Sequence, residues 1–341
     1  MTIYLLVCFY ILIFYFINII LIKNNFLLDK LSSSNHKKFI TTKSIPLSGG
    51  IIGLSLIIFF FDGFDALEKT VIVLIYILGF LSDINKLSSP IKRIILQVIL
   101  LTALIIISGT FVDSIRITHI DFLLKNYYFF KIFFTLFCLL VFINGSNFID
   151  GVNTLASGYF IIIISTLIYI SAFKLNIEID SDIQKLLMFL IVFIFFNLFS
   201  KSLLGDGGSY LISTIIGLYC VNLYSISNLF ISPYFIALLL WYPALENLFS
   251  ILRRQFFEKN KIKSADNLHL HHLIFQLINK KLKKKELSNN LTGIIINLVL
   301  VIIIFLGTIF PNHTTFLICL IIFKTFIYSL SYIYFRYKID L

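Results

Sequence analysis

The sequence predicts an all-α fold, a polytopic membrane bundle of about eleven transmembrane helices forming one domain over residues 1–341. Three observations predict it. Of the 341 residues 59% are hydrophobic and 13% charged, with mean hydropathy +0.98, which excludes an ordinary soluble domain. Apolar runs such as 3–22, 91–111 and 316–335 approach or reach the ~20 residues that a helix needs to cross ~30 Å of hydrocarbon. Finally, 21 of the 28 Lys and Arg residues fall in alternate loops or the C-terminal tail.

Taken in order, spans are expected near 2–22, 46–61, 68–81, 92–112, 127–143, 157–173, 186–199, 209–224, 229–250, 292–310 and 314–335. The first begins MTIYLLVCFY, with no positive region ahead of it and no small-residue cleavage site after it, so it reads as a retained helix rather than a signal peptide. The segments near 46–61, 68–81 and 186–199 are short, and a bundle shelters short members among longer ones. Cys8, Cys138, Cys220 and Cys319 lie inside apolar runs without paired spacing, which indicates neither disulfides nor a sulfur-bound metal. Lys324, inside the last span, is either functional or packed against a neighbouring helix.

The Lys and Arg bias puts the N-terminus outside, the C-terminus in the cytoplasm, and loops near 23–45, 82–91, 144–156, 200–208 and 251–291 on the cytoplasmic side. The basic run KKLKKKE (280–286) suits anionic headgroups and topology rather than catalysis. Every notable polar cluster falls on that same side: TTKSIPLSGG, LSDINKLSSP, NGSNFIDGVN, SKSLLGDGG, LRRQ and SADNLHLHH. An active site assembled from helix ends at one membrane surface requires such sorting, whereas random placement does not produce it.

Asp83, Asp150 and Asp206 each sit at a span end beside Gly or Asn. Singly, each is equally well a helix cap or turn residue. Together, with Asn144, Asn147 and Asn153, they suit a hard cation such as Mg²⁺, which is typically held by one or two carboxylates plus substrate phosphates. Gly205, Gly207 and Gly208 allow a phosphate to approach the backbone closely. Lys43, Lys201, Arg253 and Arg254 are candidates for neutralising it. His269, His271 and His272 lack the i, i+4 pair with an intervening Glu of helical zinc sites, so polar ligand binding or a structural role is favoured over a metal.

IPLSGG, GFLSDINKLSSPIKRIILQ, NGSNFIDGVNTLASG, LLGDGGSYL, YPALENLFSILRR and DNLHLHH, in this order over about 41–275, resemble the signatures of the polyprenyl-phosphate N-acetylhexosamine-1-phosphate transferases (glycosyltransferase family 4). The likeness is to the WecA-type branch rather than the related MraY branch. It implies transfer of a sugar-1-phosphate from a UDP-activated N-acetylated sugar to a polyprenyl phosphate such as undecaprenyl phosphate. UMP would be released, and the lipid-linked product would start a surface glycan such as O-antigen, capsule or another wall polymer. The enzyme would sit in a bacterial inner membrane among its lipids, use Mg²⁺ or Mn²⁺, tolerate a homodimeric state and have no nucleic-acid partner.

By the same resemblance Asp206 is the metal-binding Asp, Asp83 the second member of an Asp pair with a share in metal binding and catalysis, and Asp150 the essential Asp of the asparagine-rich loop. Asn144 and Asn147 match that loop's asparagines, and Arg253, Arg254 and the histidines engage the nucleotide sugar. Two positions depart from the pattern: Ser82 replaces the first Asp of the pair, and Asn153 the second loop Asp. Losing a general base at Ser82 is tolerable, because a phosphate monoester with a second pKa of about 6 is already mostly dianionic at neutral pH.

Two other readings compete. A prenyltransferase would need two Asp-rich motifs to hold a diphosphate, and the aspartates here are isolated. A secondary transporter usually breaks helices near the bilayer centre, whereas these clusters gather at span ends.

Overall fold

The computed structural model describes residues 3–29, 44–257 and 268–340. All regular elements among them are helical: α1 (Ile3–Lys23), α2 (Ser48–Phe60), α3 (Ala66–Asp83), α4 (Pro90–Ser108), α5 (Thr118–Asn126), α6 (Tyr128–Ile149), α7 (Leu155–Ile170), α8 (Ser181–Leu198), α9 (Gly205–Ser227), α10 (Pro233–Phe257), α11 (Leu270–Leu282), α12 (Lys285–Ile309) and α13 (Thr314–Asp340). Each of the eleven expected spans corresponds to one of these helices. Among the described residues nine are long and apolar enough to cross a membrane. The other two are α2, whose 13 residues rise only ~20 Å, and α3, which carries Glu68, Lys69 and Asp83 near its ends. The short helices α5 and α11 were not expected, and both hold too many polar residues to be read as spans.

Local chemistry sets several boundaries. Asp65 and Glu68 form a reciprocal capping box at the start of α3: the Glu68 N–H donates to Asp65 at 2.7 Å and the Asp65 N–H to Glu68 at 2.8 Å. Ser89 and Pro90 start α4, which stops at Gly109 with φ +62°. α7 runs into a π-helical turn at Ser171–Leu175.

The lipid-facing and core-facing sides are sharply divided. Ile91, Ile94, Ile95 and Ile99 stand exposed on one side of α4, while Gln97, Leu101, Leu104 and Ile105 are buried on the other. Large apolar residues are exposed in the same way along α1, α12 and α13. Such extensive apolar surface is stable only against hydrocarbon, so the chain is a multi-pass membrane protein.

α9 is the central post, with 78% of its span window buried. It is reached by backbone-to-backbone packing, since a methyl group at Gly79 of α3 would lie 2.5 Å from the Gly207 Cα, and one at Gly208 would lie 2.8 Å from the Gly50 Cα of α2. A second close approach joins α6 to α10, where a methyl group at Gly145 would lie 2.0 Å from the Pro243 carbonyl oxygen. Pro243 cannot supply the N–H that the Leu239 carbonyl would take, and the Tyr159 hydroxyl of α7 donates to that carbonyl instead. Lys324 donates from α13 to the adjacent Leu238 carbonyl at 3.2 Å, so its ammonium is packed against a neighbouring helix.

At the end opposite Asp206, Arg116 ties three loops together by donating to Asn228, Ile231, Asn312 and Thr314. The four cysteines are free thiols.

Gly145→Ala is expected to cost about 1–3 kcal/mol by forcing α6 from α10. Gly53→Ala, whose new methyl group meets the movable Phe189 ring at 3.3 Å and Leu211 Cδ2 at 3.7 Å, should cost less. Thermal unfolding of both variants in detergent measures the difference.

Candidate active site

The site is built from helix ends. α9 begins without a capping side chain from Leu204, leaving its first N–H groups to find acceptors elsewhere. Asp83, at the end of α3, supplies them: the Asp206 N–H donates to its Oδ1 at 2.9 Å and the Gly207 N–H to its Oδ2 at 3.0 Å. A carboxylate there also complements the positive end of the helix. Asp206 is thereby fixed one turn of chain away, and its Oδ2 accepts from the Ser82 hydroxyl at 2.6 Å and from Arg93 Nη1 at 3.0 Å. Arg93 also donates to Ser82 at 2.8 Å, closing a triangle between α3, α4 and α9.

A second link runs through α4 to α6. Gln97, one turn after Arg93 and buried, accepts from Asn144 at 2.9 Å and faces the Tyr210 hydroxyl. Asn147, half-buried on the last turn of α6, has no hydrogen-bond partner among the described residues. Asp150 terminates α6, half-buried, with Gly151 next to it.

Asn153 is turned into the scaffold. Its N–H donates to Asn289 at 3.0 Å, and its side-chain amide donates to Ser200 at 2.9 Å and Asn290 at 3.0 Å. With the Thr154 N–H on Asn197 at 2.6 Å, these bonds pin the loop carrying Asp150 to the end of α8, the α8–α9 loop and the start of α12.

His269, His271 and His272 lie buried at the start of α11, their rings against one another. Glu246 of α10 meets them: its Oε2 lies 3.0 Å from His269 Nδ1 and its Oε1 3.9 Å from His271 Nδ1. Arg253 is buried and Arg254 half-buried on the last turns of α10, and Lys201 is exposed in the α8–α9 loop. Lys43 lies outside the described residues.

The structure thus brings Asp83 and Asp206 together, and Asn144 to them through Gln97. Asp150 is grouped with the histidines through Gly151. Sequence reading missed Arg93, Gln97, Glu246, Asn289 and Asn290. Arg93 and Gln97 were legible as an i, i+4 pair on the side of α4 away from its isoleucines, and Glu246 as an acid within an apolar span.

Residues 67–224, a little under half of the chain, match the family model described as Glycosyl transferase family 4. Over that segment the chain is similar to the family. No curated protein matches the chain. The match supports a membrane transferase of the polyprenyl-phosphate sugar-1-phosphate type, and Ser82, Asp83, Arg93, Gln97, Asn144, Asp150 and Asp206 all lie inside the matched segment.

The donor set bears on the divalent ion expected for such an enzyme. Among the described residues no three His, Cys, Asp or Glu side chains form a metal cage. Asp206 Oδ2 is taken by Ser82 and Arg93, while its Oδ1 has no partner among the described residues, and the two Asp83 oxygens accept from the Asp206 and Gly207 N–H groups. An Asp206 oxygen without a partner beside a second carboxylate fits Mg²⁺ completed by substrate phosphates.

Asp83→Ala is expected to lower stability by about 1–2 kcal/mol by uncapping α9, with Asp83→Asn closer to wild type because an amide oxygen still accepts one N–H. Denaturation in detergent, ranked against Lys201→Ala as a surface control, measures both.

Proposed function

We propose that this protein transfers an N-acetylated sugar-1-phosphate from a UDP-sugar to polyprenyl phosphate, releasing UMP and leaving a polyprenyl-diphosphate-sugar. The acceptor would be undecaprenyl phosphate in a bacterial inner membrane, and the product would start a surface polysaccharide such as O-antigen or capsule. The observation that most supports this reading is the meeting of Ser82, Asp83, Arg93 and Asp206 at one helix junction within the family segment. The Lys and Arg bias favours placing that junction at the cytoplasmic surface, where UDP-sugars are made, with the N-terminus outside.

In this mechanism an oxygen of the lipid phosphate attacks the sugar-bearing phosphorus in line. The new P–O bond forms as the bond from that phosphorus to the UMP oxygen breaks. The attacking group is already a dianion for the most part, so no residue must first deprotonate it. Asp206 and Asp83 would hold Mg²⁺ or Mn²⁺, which when bound supplies positive charge against the diphosphate. Arg93 stands beside Asp206 and supplies fixed positive charge to the same place. The Ser82 hydroxyl orients Asp206 rather than accepting a proton. Asp150, with Asn144 and Asn147, orients the sugar-phosphate. Lys43, Lys201, Arg253, Arg254, His269, His271 and His272 complete the recognition of the nucleotide sugar, and Asn153 serves it through the loop it anchors.

Membranes given polyprenyl phosphate and a panel of UDP-sugars are expected to release UMP with N-acetylated sugars and magnesium present. Asp206→Asn should lower that rate by about 10³-fold or more with folded protein retained, and Ser82→Ala by less than about tenfold. Normal turnover by Asp206→Asn would reject its role.

A further inference from the structure

Glu246 is 1% exposed, inside a helix otherwise apolar through YPALENLF. An ionised carboxylate is costly in such surroundings unless donors surround it, and removing one partner of a buried pair is costlier still. Two donors reach it, the Tyr242 hydroxyl of α10 at 3.3 Å and His269 Nδ1 of α11 at 3.0 Å, and His271 Nδ1 faces it at 3.9 Å, beyond hydrogen-bond distance. A leucine would dock α11 on α10 more cheaply. The carboxylate adds direction.

Both imidazoles turn Nδ1 toward Glu246, so both Nε2 atoms point away from it. His271 Nε2 meets Gly151, where a methyl group would lie 2.7 Å from that nitrogen and 3.3 Å from His272 Cε1. The His269 ring packs on Phe148 with centroids 5.2 Å apart. Asp150 therefore sits between two residues, Phe148 and Gly151, that are both held by imidazoles oriented by one carboxylate.

We infer that Glu246 is a positioning residue of the site: through His269 and His271 it fixes the turn that carries Asp150. This rests on the transferase reading for the task of Asp150, while the anchoring of the turn stands apart from it. Glu246 touches no reacting atom. It sets the Nδ1–H tautomer and the tilt of His269 and faces the stacked His271 ring, and the rings set the turn.

Three measurements on the full-length protein in detergent test this. ¹⁵N-histidine NMR should show His269 protonated at Nδ1 in the wild type and redistributed in Glu246→Gln. That variant should lose about 10–100-fold in kcat for UMP release, and Glu246→Asp should recover part of the loss. Gly151→Ala should cause a comparable kcat loss through its clash with His271, and Gly151→Ala combined with His271→Ala should fall less than the product of the two single losses. An unchanged His269 tautomer in Glu246→Gln, a lowered Tm with unaltered kcat, or full additivity of Gly151→Ala and His271→Ala would each overturn the inference. Failure of the wild type to turn over any UDP-sugar would instead count against the transferase reading, leaving the NMR measurement to judge the anchor.

Discussion

Asp83 binds the first N–H groups of α9, and the placing of the candidate site follows from that contact. α9 is the most enclosed span, so the position of its N-terminus sets where Asp206 stands relative to α3 and α4. Glycines at 79 and 207 let the two backbones come close enough for a carboxylate at the end of one helix to reach the amides at the start of the other.

Charge around this contact is balanced locally. Two carboxylates this close repel, and they tolerate each other here because α9 presents its positive end to one and Arg93 donates to the other. Ser82 fits this arrangement better than a third carboxylate would, since its hydroxyl donates to Asp206 and accepts from Arg93. The departure from the family pattern is thus accommodated by a neutral residue that bridges an acid and a base.

The asparagines divide between two tasks. Asn144 reaches Gln97 and so lies on the path between Asp206 and the end of α6. Asn153 faces the opposite way into a knot with Asn289, Asn290, Asn197 and Ser200, where amides satisfy buried backbone groups at helix ends that water does not reach. The Asn153 side chain donates twice there, to Ser200 and Asn290, which an ionised Asp could not do, a physical reason for Asn at that position.

The amino-acid sequence by itself determined the class of fold and the side of the bundle on which the chemistry gathers. Apolar runs of membrane length cannot satisfy their backbone in lipid except as helices, and polar clusters gather where the helices end, so both features are written in order along the chain. Asp83, Asp150 and Asp206 were legible for that reason. Which of them touch was not, since a contact between residues 83 and 206 depends on how α3 crosses α9, and crossing is decided by glycines whose partners are far away in sequence. Arg93, Glu246 and the inward turn of Asn153 belong to the same class of fact. An isolated charge or amide in a sequence carries no direction, and only tertiary packing supplied each with a partner and therefore a role.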